Sequence, residues 1–364
     1  MNNVLLVFSS GYNIAFHGTE KMFKEYVNIL SKEYNVDLLF FAHYNDRLMK
    51  EFKEMPYRNL YRACSSADQV YFAHGFEQCI QTHYDAVIFN DNVSNYLNDR
   101  VILSMLNFSK SYKVWHSPWF VNENSASDGL KNDDNIATLF DFNIFVSHYD
   151  KQWCLDNKPY VYNEENCIVL NNILYDAVPS EVKRVREEGA PLKIVYYGRL
   201  SPDKGINDFL PVVCELINEG KNITMDLYGH LWQYAPDKNL GSTKEIEEKT
   251  EGKVKFHPYD ENIKDRLGEF DLSIISPYIY TNCLVVQEMV HAGLPFLSYS
   301  DVGVLKEFRF KGNNVGKNLK DILTRIVDNR ALLKDYYIDP VRYFGKFKAE
   351  NSYTDIVDMV KKNA

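Results

Sequence analysis

No run of the 364 residues approaches the ~18–20 consecutive apolar residues that a membrane-spanning helix needs. The six cysteines, at 64, 79, 154, 167, 214 and 283, form no C-x-x-C pair and have no histidine at zinc-ligand spacing. Disulfide scaffolds and zinc modules are therefore excluded, and free or buried thiols in a reducing compartment are expected. Met1-Asn2-Asn3 carries no basic leader, and the apolar run Val4–Phe8 is too short for a secretory signal. These absences together predict a cytoplasmic protein. The chain also lacks a Walker A loop, a G-x-G-x-x-G turn and a G-x-S-x-G elbow, which removes support from nucleotide hydrolase, dehydrogenase and α/β-hydrolase readings. No fixed-period repeat or low-complexity segment is present.

What is present is the balance of a globular protein, with 45% hydrophobic and 25% charged residues. Lys and Arg total 41 against 50 Asp and Glu, a formal net charge of -9, so generic attraction to nucleic acid is not favoured. Residues 301–350 hold 11 basic and 7 acidic side chains, a local basic surplus that leaves an anionic partner open. Short apolar runs alternate with amphipathic stretches. Val4–Phe8 reads as a buried strand, Lys21–Leu30 as a helix and Val36–Phe41 as a second strand, with further strands at Ala86–Phe89, Val114–Trp115 and Ile144–Val146. The charged segment Glu181–Glu188, closed by Gly189-Ala190-Pro191, reads as a linker. The grammar then restarts with strands at Ile194–Tyr197, Ile223–Leu227, Val254–Phe256, Leu272–Ile275 and Pro295–Leu297. Two doubly wound α/β domains are predicted, over residues 1–180 and 190–340, with a terminal helix within residues 343–364 packing back on the first. Ile356, Met359 and Val360 share its apolar face. Open parallel sheets bind ligands at the carboxyl ends of their strands, so a cleft between the domains is the expected site.

Two segments carry chemistry. In Tyr196-Tyr197-Gly198-Arg199-Leu200-Ser201-Pro202-Asp203-Lys204-Gly205 a strand ends at Gly198 and a helix begins near Pro202, so Arg199 and Lys204 flank a helix N-terminus that already favours an anion. They can clamp a diphosphate; spacing alone leaves a surface Arg and Lys as the simpler reading. In the second segment, Ser276–Pro295, a strand runs through a polar loop into a helix bearing Glu288 among Val285, Val286, Met289 and Val290, then Gly293-Leu294-Pro295 and another strand. A lone carboxylate in that setting needs a partner.

Together these segments resemble the family-4 glycosyltransferases of GT-B fold, whose signature is G-R-L-x-P-x-K-G followed by E-x7-E and G-x-P. The resemblance covers nearly the whole chain and is most specific between Gly198 and Pro295. His17-Gly18-Thr19-Glu20 is similar to the family's phosphate-approaching loop, and His116, after Val114-Trp115, to its histidine facing the transferred sugar. Phe145-Val146-Ser147 and Val169-Leu170-Asn171-Asn172-Ile173 look like further family segments. Tyr228-Gly229 and Phe256-His257-Pro258 match strand ends that line the nucleotide pocket in relatives.

The resemblance implies a retaining transferase acting on a nucleoside diphosphate sugar, UDP- or GDP-linked, without a separate cofactor and without a metal. Arg199 and Lys204 would hold the diphosphate, Glu288 the donor ribose, and His116 the transferred sugar. Donor contacts would come from Gly18, Thr19, Gly198, Gly229, Pro258, Asn282, Cys283 and Leu284. The leaving phosphate would help deprotonate the acceptor, and the two lobes would close over the donor. One departure stands out: Tyr280 replaces the first Glu of E-x7-E. Asn282, or backbone N–H groups of residues 281–283, can stand in. For the acceptor, Trp119 and Asn122 in the loop 115–131 offer stacking and hydrogen bonding. A glycan or glycolipid acceptor is expected, with peripheral membrane contact open. Transfer to a polymer such as hydroxymethylated DNA or protein, and a non-catalytic GT-B-like binder, are the other readings.

Overall fold

The computed structural model describes residues 2–8, 18–40, 52–66, 69–73, 75–91, 96–115, 136–172, 189–200, 204–229, 241–275, 284–299, 315–349 and 353–363. The chain divides into two compact units, residues 1–172 with 350–364, and residues 173–349. The predicted linker at 181–191 falls largely outside the described residues.

The first unit is built on β1 (Asn3–Phe8), α1 (Gly18–Leu30), β2 (Asn35–Phe40), β3 (Asn59–Ser66), β4 (Gln69–Ala73), α2 (Phe76–Gln81), β5 (His83–Asp91), α3 (Tyr96–Met105), β6 (Asn107–Trp115), β7 (Phe142–Phe145), α4 (His148–Asn157) and β8 (Cys167–Val169). Among the described residues its sheet has eight strands in the order β4-β3-β2-β1-β5-β6-β7-β8, parallel except where β4 returns beside β3. Alternation along each strand sends side chains to two cores. Leu5, Val7, Val87 and Phe89 lie on one face with α2 and α3; Val4, Leu6, Ala86 and Ile88 lie on the other with α1.

Several elements differ from their sequence reading for local reasons. β6 is nine residues long, not two, because its first half is half-exposed and polar while its second half is buried. That buried half includes Lys113, whose ammonium lies 5.6–5.9 Å from the ring centres of Trp115, Phe140 and Phe89. In β3, Arg62, Ser65 and Ser66 break the apolar pattern, which hid it; β4 carries the apolar run Val70–Ala73, which sequence reading overlooked. β7 ends at Phe145, because Ser147 turns the chain to cap α4: its hydroxyl accepts the Asp150 N–H at 3.1 Å and donates to the Asp150 carboxylate at 2.6 Å.

The second unit follows the order β9 (Leu192–Tyr197), α5 (Ile206–Asn218), β10 (Ile223–Tyr228), α6 (Thr243–Lys249), β11 (Val254–His257), a 3₁₀ turn (Ile263–Glu269), β12 (Leu272–Ile275), α7 (Leu284–His291) and β13 (Phe296–Ser298). α8 (Leu319–Asp328) and α9 (Pro340–Ala349) complete it. The parallel sheet runs β11-β10-β9-β12-β13. α5, α6 and α8 cover one face through Phe209, Val213, Ile246 and Leu323; α7, the 3₁₀ turn and α9 cover the other through Met289, Leu267 and Phe344. Pro295, which has no N–H, leads into β13 and accepts the Ser273 N–H at 2.9 Å.

The single terminal helix expected within residues 343–364 is instead two helices in different units. Tyr343 and Phe344 of α9 fill the core beside α7 in the second unit, whereas α10 (Ile356–Asn363) buries Ile356, Val357, Met359 and Val360 in the core of the first unit shared with α1. The return to the first unit is fixed where the Tyr353 N–H donates to the Asn171 carbonyl at 3.0 Å and the Tyr34 hydroxyl to that of Val357 at 3.4 Å. Each apolar patch selects its own core. Among the described residues no helix is long and apolar enough to cross a membrane.

Candidate functional site

In the second unit β9 has β10 on one side and β12 on the other. The helix after β9 packs on one face of the sheet and the helix after β12 on the opposite face. This is a topological switch point, where the carboxyl ends of neighbouring strands leave a crevice for ligand. Gly198-Arg199 leaves β9 at this point, and the segment after β12 enters α7, which carries Glu288.

Backbone geometry fixes the strand ends. The Gly198 N–H donates to the Tyr228 carbonyl at 2.9 Å, and the Gly229 N–H donates to the His257 carbonyl at 3.1 Å, so the ends of β9, β10 and β11 form one ladder. Gly198 has φ +142°, a backbone state that favours glycine. A Cβ built on Gly229 would fall 1.8 Å from the Gly198 carbonyl oxygen. We therefore expect Gly229→Ala to force β9 and β10 apart here, lowering stability by about 1–3 kcal/mol and weakening any ligand held at Arg199. Thermal melting of the variant checks this, and an unchanged midpoint contradicts it.

Side chains brace the same turn. The Tyr196 hydroxyl donates to the Arg199 carbonyl at 2.7 Å, and the Tyr197 hydroxyl donates to the Val285 carbonyl in the first turn of α7 at 3.2 Å. The Tyr197 contact ties the strand bearing Gly198-Arg199 to the helix bearing Glu288. Lys204 and Gly205, the latter at φ 65°, lead into α5. Arg199 and Lys204 are half-buried, whereas Glu288 is only 7% exposed between the core residues Val286, Met289 and Val290. Gly293, at φ 63°, ends the turn after α7, with the Gly293 N–H on the Val290 carbonyl at 3.0 Å and the Leu294 N–H on that of Met289 at 2.8 Å.

The structure thus holds Gly198, Arg199, Lys204, Gly229, Leu284 and Glu288 in one unit: Gly198, Arg199 and Gly229 follow the carboxyl ends of β9 and β10, Lys204 leads into α5, Leu284 and Glu288 lie in α7, and Pro258 is exposed just past β11. Gly18 and Thr19 open α1 in the first unit. His116, Trp119, Asn122, Tyr280, Asn282 and Cys283 lie outside the described residues. Sequence reading overlooked Asp226. Its carboxylate Oδ1 is 2.6 Å from His257 Nε2, and the His257 ring stacks on Tyr228 with centroids 4.4 Å apart and planes 14° apart. The signal was the alternation that puts Asp226 and Tyr228 on one face of β10.

No protein-family model matches the sequence, and no curated protein matches it. Solved structures do. The chain is similar to Anabaena Alr3699/HepE in complex with UDP, at TM-score 0.68 and 14% identity over 100% of this chain and 99% of that one. It is similar to a glycosyltransferase from Rickettsia africae ESF-5, at TM-score 0.66 and 13% identity over 100% and 98%. A third likeness is to a mutant of S. aureus TarM in complex with fondaparinux, α-GlcNAc-glycerol and UDP, at TM-score 0.66 and 11% identity over 100% and 99%. Likeness at these identities is a likeness of fold, and with the two sheets described above, parallel but for β4, it shows that the chain has the GT-B architecture of two Rossmann-like domains.

Proposed function

We propose that this chain is a glycosyltransferase that moves a sugar from a nucleoside diphosphate sugar, UDP-linked in the first instance, to a hydroxyl of a carbohydrate acceptor with retention of configuration. The observation that supports the reading is that Gly198-Arg199 leaves β9 at the switch point of the second sheet, with Lys204 leading into α5 and the buried Glu288 in α7, the helices that follow the two strands there. The UDP bound by the HepE and TarM structures supports the choice of nucleotide.

In this reading Arg199 and Lys204 hold the diphosphate and stabilise the charge that develops on it as it leaves. Glu288 accepts hydrogen bonds from the ribose hydroxyls. The acceptor oxygen bonds to the anomeric carbon as the bond from that carbon to the β-phosphate oxygen breaks. The bonding pair stays on the nucleotide, and the acceptor proton passes to a phosphate oxygen. The donor is a substrate, no separate cofactor takes part, and the two side-chain cations supply the positive charge that the leaving group requires.

The test is donor hydrolysis and calorimetric binding across UDP-, GDP-, ADP- and CMP-sugars with and without a chelator. One donor bound and slowly hydrolysed, with the rate unchanged by the chelator, is expected. If the folded protein binds none of them, the reading fails and a non-catalytic role takes its place.

A further inference from the structure

Among the described residues, β11 is four residues long and lies at the edge of its sheet, with β10 as its strand neighbour. Short edge strands fray first, because half of their backbone groups have no strand partner. Yet the His257 carbonyl at the end of β11 receives the Gly229 N–H, and the Tyr228 carbonyl beside it receives the Gly198 N–H, one residue before Arg199. The position of Arg199 therefore depends on a strand end that the sheet alone holds weakly.

Side chains supply the missing hold. Tyr228 and His257 are register partners on adjacent parallel strands, so their side chains lie on the same face, and Asp226 lies on that face two residues earlier. The His257 ring stacks on Tyr228, and its Nε2 N–H donates to the Asp226 carboxylate at 2.6 Å. Just past the 3₁₀ turn, Phe270 meets Tyr228 edge-on at 6.4 Å, and from within the turn the Arg266 guanidinium lies 5.9 Å from the Tyr228 ring centre, itself held by Asp260 and Glu269. The opposite margin of β11 is secured where the Phe256 N–H donates to the Glu247 carboxylate of α6 at 2.8 Å. The stack and the charge-assisted hydrogen bond converge on the residue whose carbonyl ends the ladder.

We propose that Asp226, Tyr228 and His257 are positioning residues that hold the ends of β9, β10 and β11 in register, and so set the affinity of the site for the nucleoside diphosphate without taking part in the transfer. This rests on the donor site proposed above.

Two measurements separate this inference from the donor reading. In the unliganded protein, hydrogen exchange of peptides covering residues 196–199 and 227–229 is expected to quicken about tenfold in His257→Ala, with His257→Phe, which keeps the stack, between that variant and wild type. By calorimetry, His257→Ala is expected to weaken UDP binding about tenfold. Asp226→Ala is expected to behave similarly, and the double variant to be no worse than the poorer single one, as befits one coupled unit. Unchanged exchange at both peptides overturns the inference whatever UDP does. Unchanged UDP affinity with a lowered melting midpoint also overturns it, leaving the stack a prop of the fold. Failure of wild type to bind UDP while exchange responds as expected counts against the donor reading alone.

Discussion

Arg199→Ala is expected to cut donor turnover by about 10²–10³-fold while leaving the protein folded. The guanidinium stands just past the end of β9, and the backbone beneath it is held by groups that the substitution leaves in place: the Gly198 N–H on Tyr228 and the Tyr196 hydroxyl on the Arg199 carbonyl. Removing the side chain therefore takes away positive charge at the diphosphate without loosening the turn. Arg199→Lys keeps a charge but not the planar fork, and should recover only part of the rate. Lys204→Ala should act in the same direction, since its ammonium would meet the same two phosphates. The measurement is donor hydrolysis at saturating concentration, with melting recorded alongside. Turnover within about threefold of wild type would remove Arg199 from the chemistry and with it the central support for the proposed function.

The second large effect belongs to the first unit and concerns stability. Asp37 in β2 is fully buried and accepts from Arg58 Nε at 2.9 Å and Nη2 at 2.6 Å, from Asn59 Nδ2 at 3.1 Å, and from the hydroxyls of Tyr84 at 3.1 Å and Tyr61 at 3.5 Å. One carboxylate thus organises donors from β3 and β5 on either flank of β1 and β2. Asp37→Ala strands the two phenols and deletes the charge partner of Arg58, and should lower stability by about 3–5 kcal/mol. For a unit of this size that is a fall of roughly 6–20 °C in the melting midpoint. Asp37→Asn keeps the shape and part of the hydrogen bonding and should fall between. A midpoint for Asp37→Ala within about 2 °C of wild type would show that the cluster is not structural.

The same cluster sets an alkaline limit. Burial, reinforced by the Asp37 charge, pushes the Tyr61 phenol up to about 12, and burial raises Tyr84 further. Both are raised above the ordinary tyrosine value near 10, so their contribution is fully present below that pH. As pH climbs from about 10 towards 12, the unfolded chain loses phenolic protons that the folded chain retains, and stability falls. Absorbance of tyrosinate on alkaline titration should show these phenols ionising together with unfolding rather than at the ordinary value. Ionisation of every tyrosine near 10 with the fold intact would contradict this.

The apolar runs Val4–Phe8 and Ile194–Tyr197 were legible as strands because both faces of these central strands are buried, which leaves no polar interruption in the run. Gly198-Arg199 and Lys204-Gly205 were legible because a strand end, a turn and a helix start each constrain the residue types allowed there. The hidden elements were those whose character comes from neighbours. β3 and β4 pair at the margin of the first sheet, and the buried Lys113 is accommodated by rings from β5, β6 and residue 140. The chain's end read as one amphipathic stretch, because periodicity reports an apolar face but not the core that receives it.

By itself, then, the sequence determined the alternation of elements, the two-unit grammar and the turn that presents Arg199, since each follows from local patterns of burial and backbone freedom. The tertiary structure alone decided that Asp226, Tyr228 and His257 meet, that Asp37 gathers donors from 21 to 47 positions along the chain, and that residues 340–349 and 356–363 serve different cores. Those contacts depend on which strands become neighbours and in what register. Register is settled by the burial of whole faces at once, a property that no single segment carries.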